Sequence, residues 1–327
     1  MTARLYFPEF EVAVGSMKLK SGGRAALWRL EILREVNGGA DEAVFQLGIS
    51  GDFSARTGDD VTVDLGYSGS LERVFTGTVD RLIRGLQSIE VMAVGGQGDL
   101  MRKRSDRGFV NQKAGEVWQT LVDEAGATTA RSESGVAMPS YLVDSSKTYW
   151  EHGLELGFHS GNDLYSNVQG EIVFAPINAD APPLKLKFGA DLLQAACQSE
   201  PAPPKIIHIP ESPASSSGEE TAAWFAKDST QHQGEAGDGD GAPQYFPVLR
   251  TQEQAQASAQ CRSDRLTRAA TIAEVELIGT PAVELGDPVE LKDLPAGGDG
   301  TYVVLALRHV VGPDFGFRTY AALGGVP

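Results

Sequence analysis

Cysteine is almost absent. Cys197 and Cys261 stand alone in 327 residues, too far apart and too few for a disulfide framework or for the paired ligand spacing of a zinc site, and a reducing compartment fits that scarcity. No run of about 18 apolar residues occurs, and Met1 to Phe10 lacks the charged start and apolar stretch of a leader, so nothing addresses the chain to a membrane. Basic residues are in deficit. Against 44 Asp and Glu there are 28 Lys and Arg, giving a formal charge of −16 and a pI near 4.7, with no basic block to hold phosphate. Specific nucleic-acid binding is therefore not expected. Such acidity keeps a chain soluble and repels polyanions passing close by.

Chemical motifs are missing as well. His152 and His159 are seven apart, whereas two imidazoles that grip one metal from a helix face stand three or four apart. Gly96-Gln97-Gly98 follows a strand, but Met101 occupies the third glycine position of a dinucleotide fingerprint, so these residues read as a turn. Asp238-Gly239-Asp240-Gly241 lacks the further oxygen ligands and terminal Glu of a calcium loop. No Gly-x-Ser-x-Gly elbow appears, and no pattern singles out a carboxylate pair for sugar hydrolysis. The expectation is a protein that is not an enzyme, with no catalytic residue, no metal site and no cofactor.

What is present is strand. Glycine (38) and proline (17) punctuate short alternating segments, and the 41% hydrophobic content is enough for real cores. Phe10, Val12, Val14 alternate, as do Ala43, Phe45, Leu47, Ile49 and Val61, Val63, Leu65, Tyr67. Ser68 to Glu72 turns into Val74 to Ile83 as a hairpin, and Ile89 to Val94 completes six or so strands, fitting a small closed β-barrel over 1–96.

The period then changes. Val117, Leu121 and Ala125, widened by Trp118 and Val122, predict a helix stopped at Gly126. A second helix would carry Trp150, Leu154, Gly157 and Phe158 on one face and end at Gly161. With a hairpin of Leu164 to Ser166 and Ile172 to Phe174 across Gln169-Gly170, residues 97–182 make a middle α/β unit whose core includes Trp118, Leu121, Trp150 and Leu154. Residues 211–219 and 228–244 read as mobile loops, with Trp224 and Phe225 docking between them. A Thr251/Gln254 capping box opens a helix to about Arg268, with Ala255, Ala259 and Cys261 available for close packing. Strands follow, so 183–327 is expected to form a second β-barrel.

An internal echo organises the whole. Gly58-Asp59-Asp60-Val61-Thr62-Val63-Asp64-Leu65 precedes a loop and the strand Val74 to Ile83; Gly286-Asp287-Pro288-Val289-Glu290-Leu291 precedes a glycine-rich loop and the strand Tyr302 to Val311. The two passages read as two copies of one barrel hairpin, while Gly-Asp turns in any β protein offer the plainer explanation. The fold class that emerges is mainly β with an α+β insertion: two related small barrels flanking a middle α/β unit, plus a helix before the last strands.

At these residues the chain resembles the phage late control protein D family, the baseplate hubs also found as the N-terminal part of type VI secretion VgrG spikes. The resemblance rests on Leu65-Gly66-Tyr67 with Val74-Phe75-Thr76-Gly77-Thr78-Val79, the helix Glu116 to Gly126, and Tyr149-Trp150-Glu151-His152 leading to Phe174-Ala175-Pro176. It continues through Ala255 to Arg268, Gly279-Thr280-Pro281, Leu285-Gly286-Asp287, Arg308-His309 and Phe317-Arg318-Thr319. As barrel signature it marks Gly58, Asp60, Gly66, Tyr67, Phe75, Gly77, Gly286, Asp287 and His309. It implies a homotrimeric structural hub joining a six-fold tail tube to a three-fold spike, with other baseplate proteins around it. Assembly would take place in the bacterial cytoplasm, before incorporation into a virion tail or extracellular contractile particle. Ending at Pro327 without a needle sequence, the chain is expected to meet its spike as a separate polypeptide. Three copies at −16 each could face acidic side chains to a central channel, or those side chains could merely solvate the exterior. The rival reading is a tail-associated carbohydrate-binding or peptidoglycan-degrading component with a pocket beside Trp118 or Trp150, which would require exposed aromatics.

Overall fold

Alternation becomes strand wherever one face can be buried. In a computed structural model, residues 7–22, 27–48, 54–67, 69–177, 181–201, 203–211, 232–295 and 297–326 are described. The first seven strands are β1 (Pro8–Val14), β2 (Met17–Lys20), β3 (Leu27–Glu35), β4 (Glu42–Gly48), β5 (Asp60–Tyr67), β6 (Ser70–Arg84) and β7 (Ser88–Gly95). Their lateral order is β3-β4-β7-β6-β5-β1-β2, antiparallel throughout. Val12, Phe45, Val63 and Val91 point into one core that draws on all seven strands, so the sheet bends round it. Ile49 and Ser68 lie outside the described residues.

The middle of the chain runs α1 (Gln97–Arg102), β8 (Arg107–Lys113), α2 (Ala114–Ala125), β9 (Thr129–Ser132), β10 (Ala137–Val143), α3 (Tyr149–Ser160), β11 (Asp163–Ser166) and β12 (Ile172–Ala175). Gly126 and Gly161 end α2 and α3 with φ of 75° and 81°, left-handed values that glycine adopts without a Cβ penalty. Gln97 and Gly98 belong to a helix, not to a turn. A Cβ on Gly98 would sit 2.9 Å from Val94 Cγ2, so the glycine lets α1 fold back on β7. The buried face of α3 also differs from expectation. Trp150, His152, Leu156 and Gly157 are covered, whereas Leu154 and Phe158 are half-buried, because Gly153 packs directly against the Trp118 ring and turns the helix towards it.

The remaining elements are β13 (Leu184–Lys187), β14 (Leu192–Ser199), β15 (Ile206–Pro210), β16 (Gly234–Ala236), β17 (Pro243–Phe246), α4 (Gln252–Ala270), β18 (Thr271–Ile278), β19 (Pro288–Lys292), β20 (Gly300–Gly312) and β21 (Gly316–Gly325). The Thr251/Gln254 capping box is formed. Residues 212–219, 228–231, Trp224 and Phe225 lie outside the described residues. The expected loop of 228–244 contains β16 and the start of β17, which pair with β15 under α4. Its glycine content has a packing cause: a Cβ on Gly234 would fall 2.0 Å from the Ala255 carbonyl oxygen.

The second set of strands has the order β14-β18-β21-β20-β19-β13, which matches β3-β4-β7-β6-β5-β1 place for place. The one difference in direction is at the end, where β13 runs parallel to β19 while β1 runs antiparallel to β5. Main-chain bonds repeat too. Gly58 N–H donates to the Val79 carbonyl and Val79 N–H to the Asp59 carbonyl, at 2.8 and 2.9 Å; Gly286 donates to Val304 and Val304 to Asp287, at 2.8 and 3.0 Å. Bulges recur at Val79/Arg81 and Val304/Ala306, and at Leu27/Arg29 and Leu192/Gln194. The chain is thus mainly β with an α+β insertion and two related β units. Among the described residues no ladder joins β2 to β3; instead β3 pairs with β20, and both units share one 13-stranded sheet.

Candidate functional surface

The residues marked by the sequence hold turns and close approaches. Gly58 and Gly286 have φ of 87° and 80°, and Asp60 opens β5 opposite Thr78. A Cβ on Gly66 would lie 1.9 Å from the Ser70 carbonyl oxygen, and one on Gly77 2.1 Å from that of Val94. Phe75 is buried in the first core, and Tyr67 meets Phe317 of the second unit with ring centroids 5.8 Å apart. Asp287 has its carboxyl raised by burial. His309 Nδ1 lies 2.9 Å from Thr319 Oγ1, and burial lowers its pKa to about 3, so the imidazole is neutral. Trp118 and Leu121 are fully buried; Trp118 stacks on Phe174 at 5.7 Å and meets Trp150 edge-on at 6.3 Å. Trp150 is 2% exposed and donates from its indole N–H to the Gly38 carbonyl, tying α3 to the β3–β4 turn.

Sequence reading missed the seam. Ala306 faces Glu35 and the ladder continues antiparallel to Val311 opposite Leu30. On its inner side Arg34, 1% exposed, donates to Asp41 Oδ2 at 3.1 Å, to the Ser166 carbonyl at 2.7 Å and to Glu284 Oε2 at 3.3 Å. One guanidinium therefore clamps the first unit, the middle unit and the second unit together. Burial raises the Asp41 and Glu284 carboxyls in spite of Arg34. Nearby, Arg268 grips Asp163 with both guanidinium nitrogens, at 2.9 and 3.2 Å, and Asn37, held at φ 55°, donates to the same carboxylate. Further along α4, Ser258 Oγ lies 2.9 Å from Nδ1 of both His159 and His208, joining α3 to β15.

Outside the seam lies a continuous sheet face. One cross-strand row passes through Gln194, Glu276, Tyr320, Arg308, Leu33, Glu42 and Val94, crossing both units without a break. Arg308 pairs with Glu31 at 2.8 Å and lies 5.1 Å over the Tyr320 ring; Arg318 pairs with Glu276 at 3.4 Å. A shallow hollow of about 320 Å³ opens over Ala196, Ala306, Ala322 and Leu33. The signal available in the sequence was a break of parity: Leu33 follows Ile32 directly, so one of the two must face out.

Among the described residues no group of three or more His, Cys, Asp or Glu could hold a metal ion, and no helix is long and apolar enough to cross a membrane. His152 Nδ1 and Glu155 Oε2 both meet the Tyr141 hydroxyl, at 3.0 and 3.2 Å, while His159 turns away to Ser258.

No family model matches the sequence, and no curated protein matches it either. Solved structures do match over almost the whole chain. A 43 kDa tail protein of prophage MuSo2 from Shewanella oneidensis has a TM-score of 0.73 at 16% identity, covering 97% of this chain and 98% of that one. A tail protein from Neisseria meningitidis MC58 has a TM-score of 0.74 at 14% identity, covering 98% and 97%. The E. coli c3393 protein, a component of the type VI secretion system with structural similarity to T4 bacteriophage tail proteins gp27 and gp5, has a TM-score of 0.63 at 11% identity, covering 97% and 79%. At these identities it is the fold that is shared, and it is shared from the first strand to the last.

Proposed function

We propose that this chain is a structural component of a phage tail or related injection machine, and within it the baseplate hub: a homotrimer that adapts a six-fold tail tube to a three-fold central spike. The observation that carries the reading is the repetition of one strand order in two units joined edge to edge in one sheet. A closed cyclic assembly makes every copy present the same surfaces, so a three-fold ring cannot match a six-fold tube unless each chain presents two similar units. Two repeats per chain give six such units in a trimer. The middle unit, present once per chain, keeps three-fold order and is available to other baseplate proteins. In such a ring, assembled in the cytoplasm and carried into the particle, acidic side chains facing the channel would keep passing phosphate from adhering.

The test is the mass of the purified complex, with electron-microscopy class averages of its ring. Three copies with six-fold features on one side are expected; a complex of another stoichiometry would overturn the hub reading. Peptidoglycan zymography and glycan binding address the rival reading, whose pocket beside Trp118 or Trp150 called for exposed aromatics, whereas both rings are buried.

A further inference from the structure

We propose that a single buried water molecule is a fixed part of this protein, held between Asp41 and Gln97 where the first β unit meets the middle unit. Asp41 stands immediately before β4, and Gln97 is the first residue of α1. Both are buried, at 2% and 0% exposure. One carboxylate oxygen of Asp41 is fully engaged: Oδ2 accepts from Arg34 Nε at 3.1 Å and from Ser166 Oγ at 2.6 Å. The other is not. Among the described residues nothing offers a hydrogen bond to Asp41 Oδ1, or to Oε1 and Nε2 of Gln97. Burial raises the Asp41 carboxyl and the Gln97 amide is among the groups that oppose the rise, so the two side chains are neighbours that stop short of a direct bond. Gly95 shapes the place. Its N–H donates to the Asp41 carbonyl at 2.8 Å, and a Cβ on it would lie 2.6 Å from Gln97 Oε1 and 3.0 Å from Asp41 Cβ.

A buried polar atom without a partner has lost its hydration for nothing, and native proteins seldom keep three such atoms together. One water matches these three. It donates one hydrogen to Asp41 Oδ1 and the other to Gln97 Oε1, and its oxygen accepts from Gln97 Nε2. The last two bonds close a small ring on one amide, whose donor and acceptor stand side by side. Turning the amide over exchanges its two ends without changing the count, so the match holds for either orientation. Buried waters typically make about three hydrogen bonds, the number on offer here. A metal ion does not fit, because it would face the Nε2 donor and add positive charge beside the Arg34 guanidinium. The water thus carries the Arg34 clamp one step further, from the start of β4 to the start of α1.

A crystal structure of the wild-type chain, at a resolution that shows ordered solvent, is the direct test. Density for one water is expected about 2.5–3.2 Å from Asp41 Oδ1 and from both ends of the Gln97 amide. A Gln97 amide bonded straight to Asp41 with no density between them would overturn the inference, as would an ion coordinated at about 2.0–2.6 Å. Stability gives a second reading, in which the sign decides. Gln97→Met keeps the length of the side chain and removes the amide. With the water in place, the change strips it of two of its three bonds, and the unfolding equilibrium constant in urea titrations should rise about tenfold. With the three atoms truly unpaired, the same change deletes two of them and leaves the constant unchanged or lower, and that result sinks the proposal. A direct bond to Asp41 would also weaken on this substitution, and the wild-type density separates that case whether or not the variant folds.

Discussion

Val79 and Val304 stand at the same place in two copies of one unit: each accepts from a left-handed glycine and donates to the carbonyl of the aspartate that follows it. That shared pair of bonds starts both β5 and β19 and places the bulge one residue beyond, at Asp80 and Leu305.

The turn glycines differ in what surrounds them. Gly58 has open space where a Cβ would go, so Gly58→Ala pays only the left-handed backbone penalty, roughly 1–2 kcal/mol. At Gly66 the added methyl would run into the Ser70 carbonyl, so Gly66→Ala should cost clearly more than Gly58→Ala. Urea unfolding of both variants gives the comparison; equal losses would contradict the close approach of β5 and β6.

Arg34 is a buried cation at the meeting of the three units. Arg34→Met leaves the Asp41 carboxyl buried without its counter-charge and should destabilise by about 3–5 kcal/mol. The double variant Arg34→Met, Asp41→Asn should lose less than Arg34→Met alone. Chemical denaturation resolves this, and additive losses would mean that the pair is not coupled.

Acid should loosen the contact of α3 with α4 and β15. Burial lowers His159 and His208 to about 4, below the ordinary value of 6.5 expected when unfolded. The unfolded chain therefore takes up protons first. Stability is fully present above pH 6.5 and declines as pH falls from there to about 4, by up to about 3 kcal/mol for the His159 imidazole at about 1.4 kcal/mol per pKa unit and by less for His208. Around this pair Glu155 favours the charged form of His159, while Arg265 and Lys147 oppose it, and Arg262 opposes that of His208. Asp41, Glu284 and Asp287, raised by burial, act in the opposite direction as they take up protons. Stability of His159→Gln against wild type at pH 7.5, 5.5 and 4.5 isolates the imidazole: the variant should show a shallower decline, and parallel curves would refute the assignment.

Trp118→Ala removes a fully buried ring stacked on Phe174 and should cost about 3–5 kcal/mol. A variant that lost glycan binding while keeping full stability would instead favour the rival reading.

Much of the local structure was written in the chain. Period-two alternation in Ala43, Phe45 and Leu47, the capping box at Thr251 and the stop at Gly126 are decided by neighbours within a few residues, and the Gly-Asp echo exposed the duplication because a left-handed turn tolerates few residues besides glycine. The 228–244 segment and α1 escaped for one reason: their surroundings come from distant segments, as when Gly234 admits the backbone of α4. The seam is the extreme case. Ile32 and Leu33 fix the parity of β3, but whether its outer edge meets β2, water or β20 depends on main-chain groups nearly three hundred residues away and on buried side chains such as Arg34 that clamp the units. Sequence by itself determined which residues face inward and where the chain turns; only the tertiary structure decided which edges meet, because backbone hydrogen bonds carry no side-chain signature of their partner.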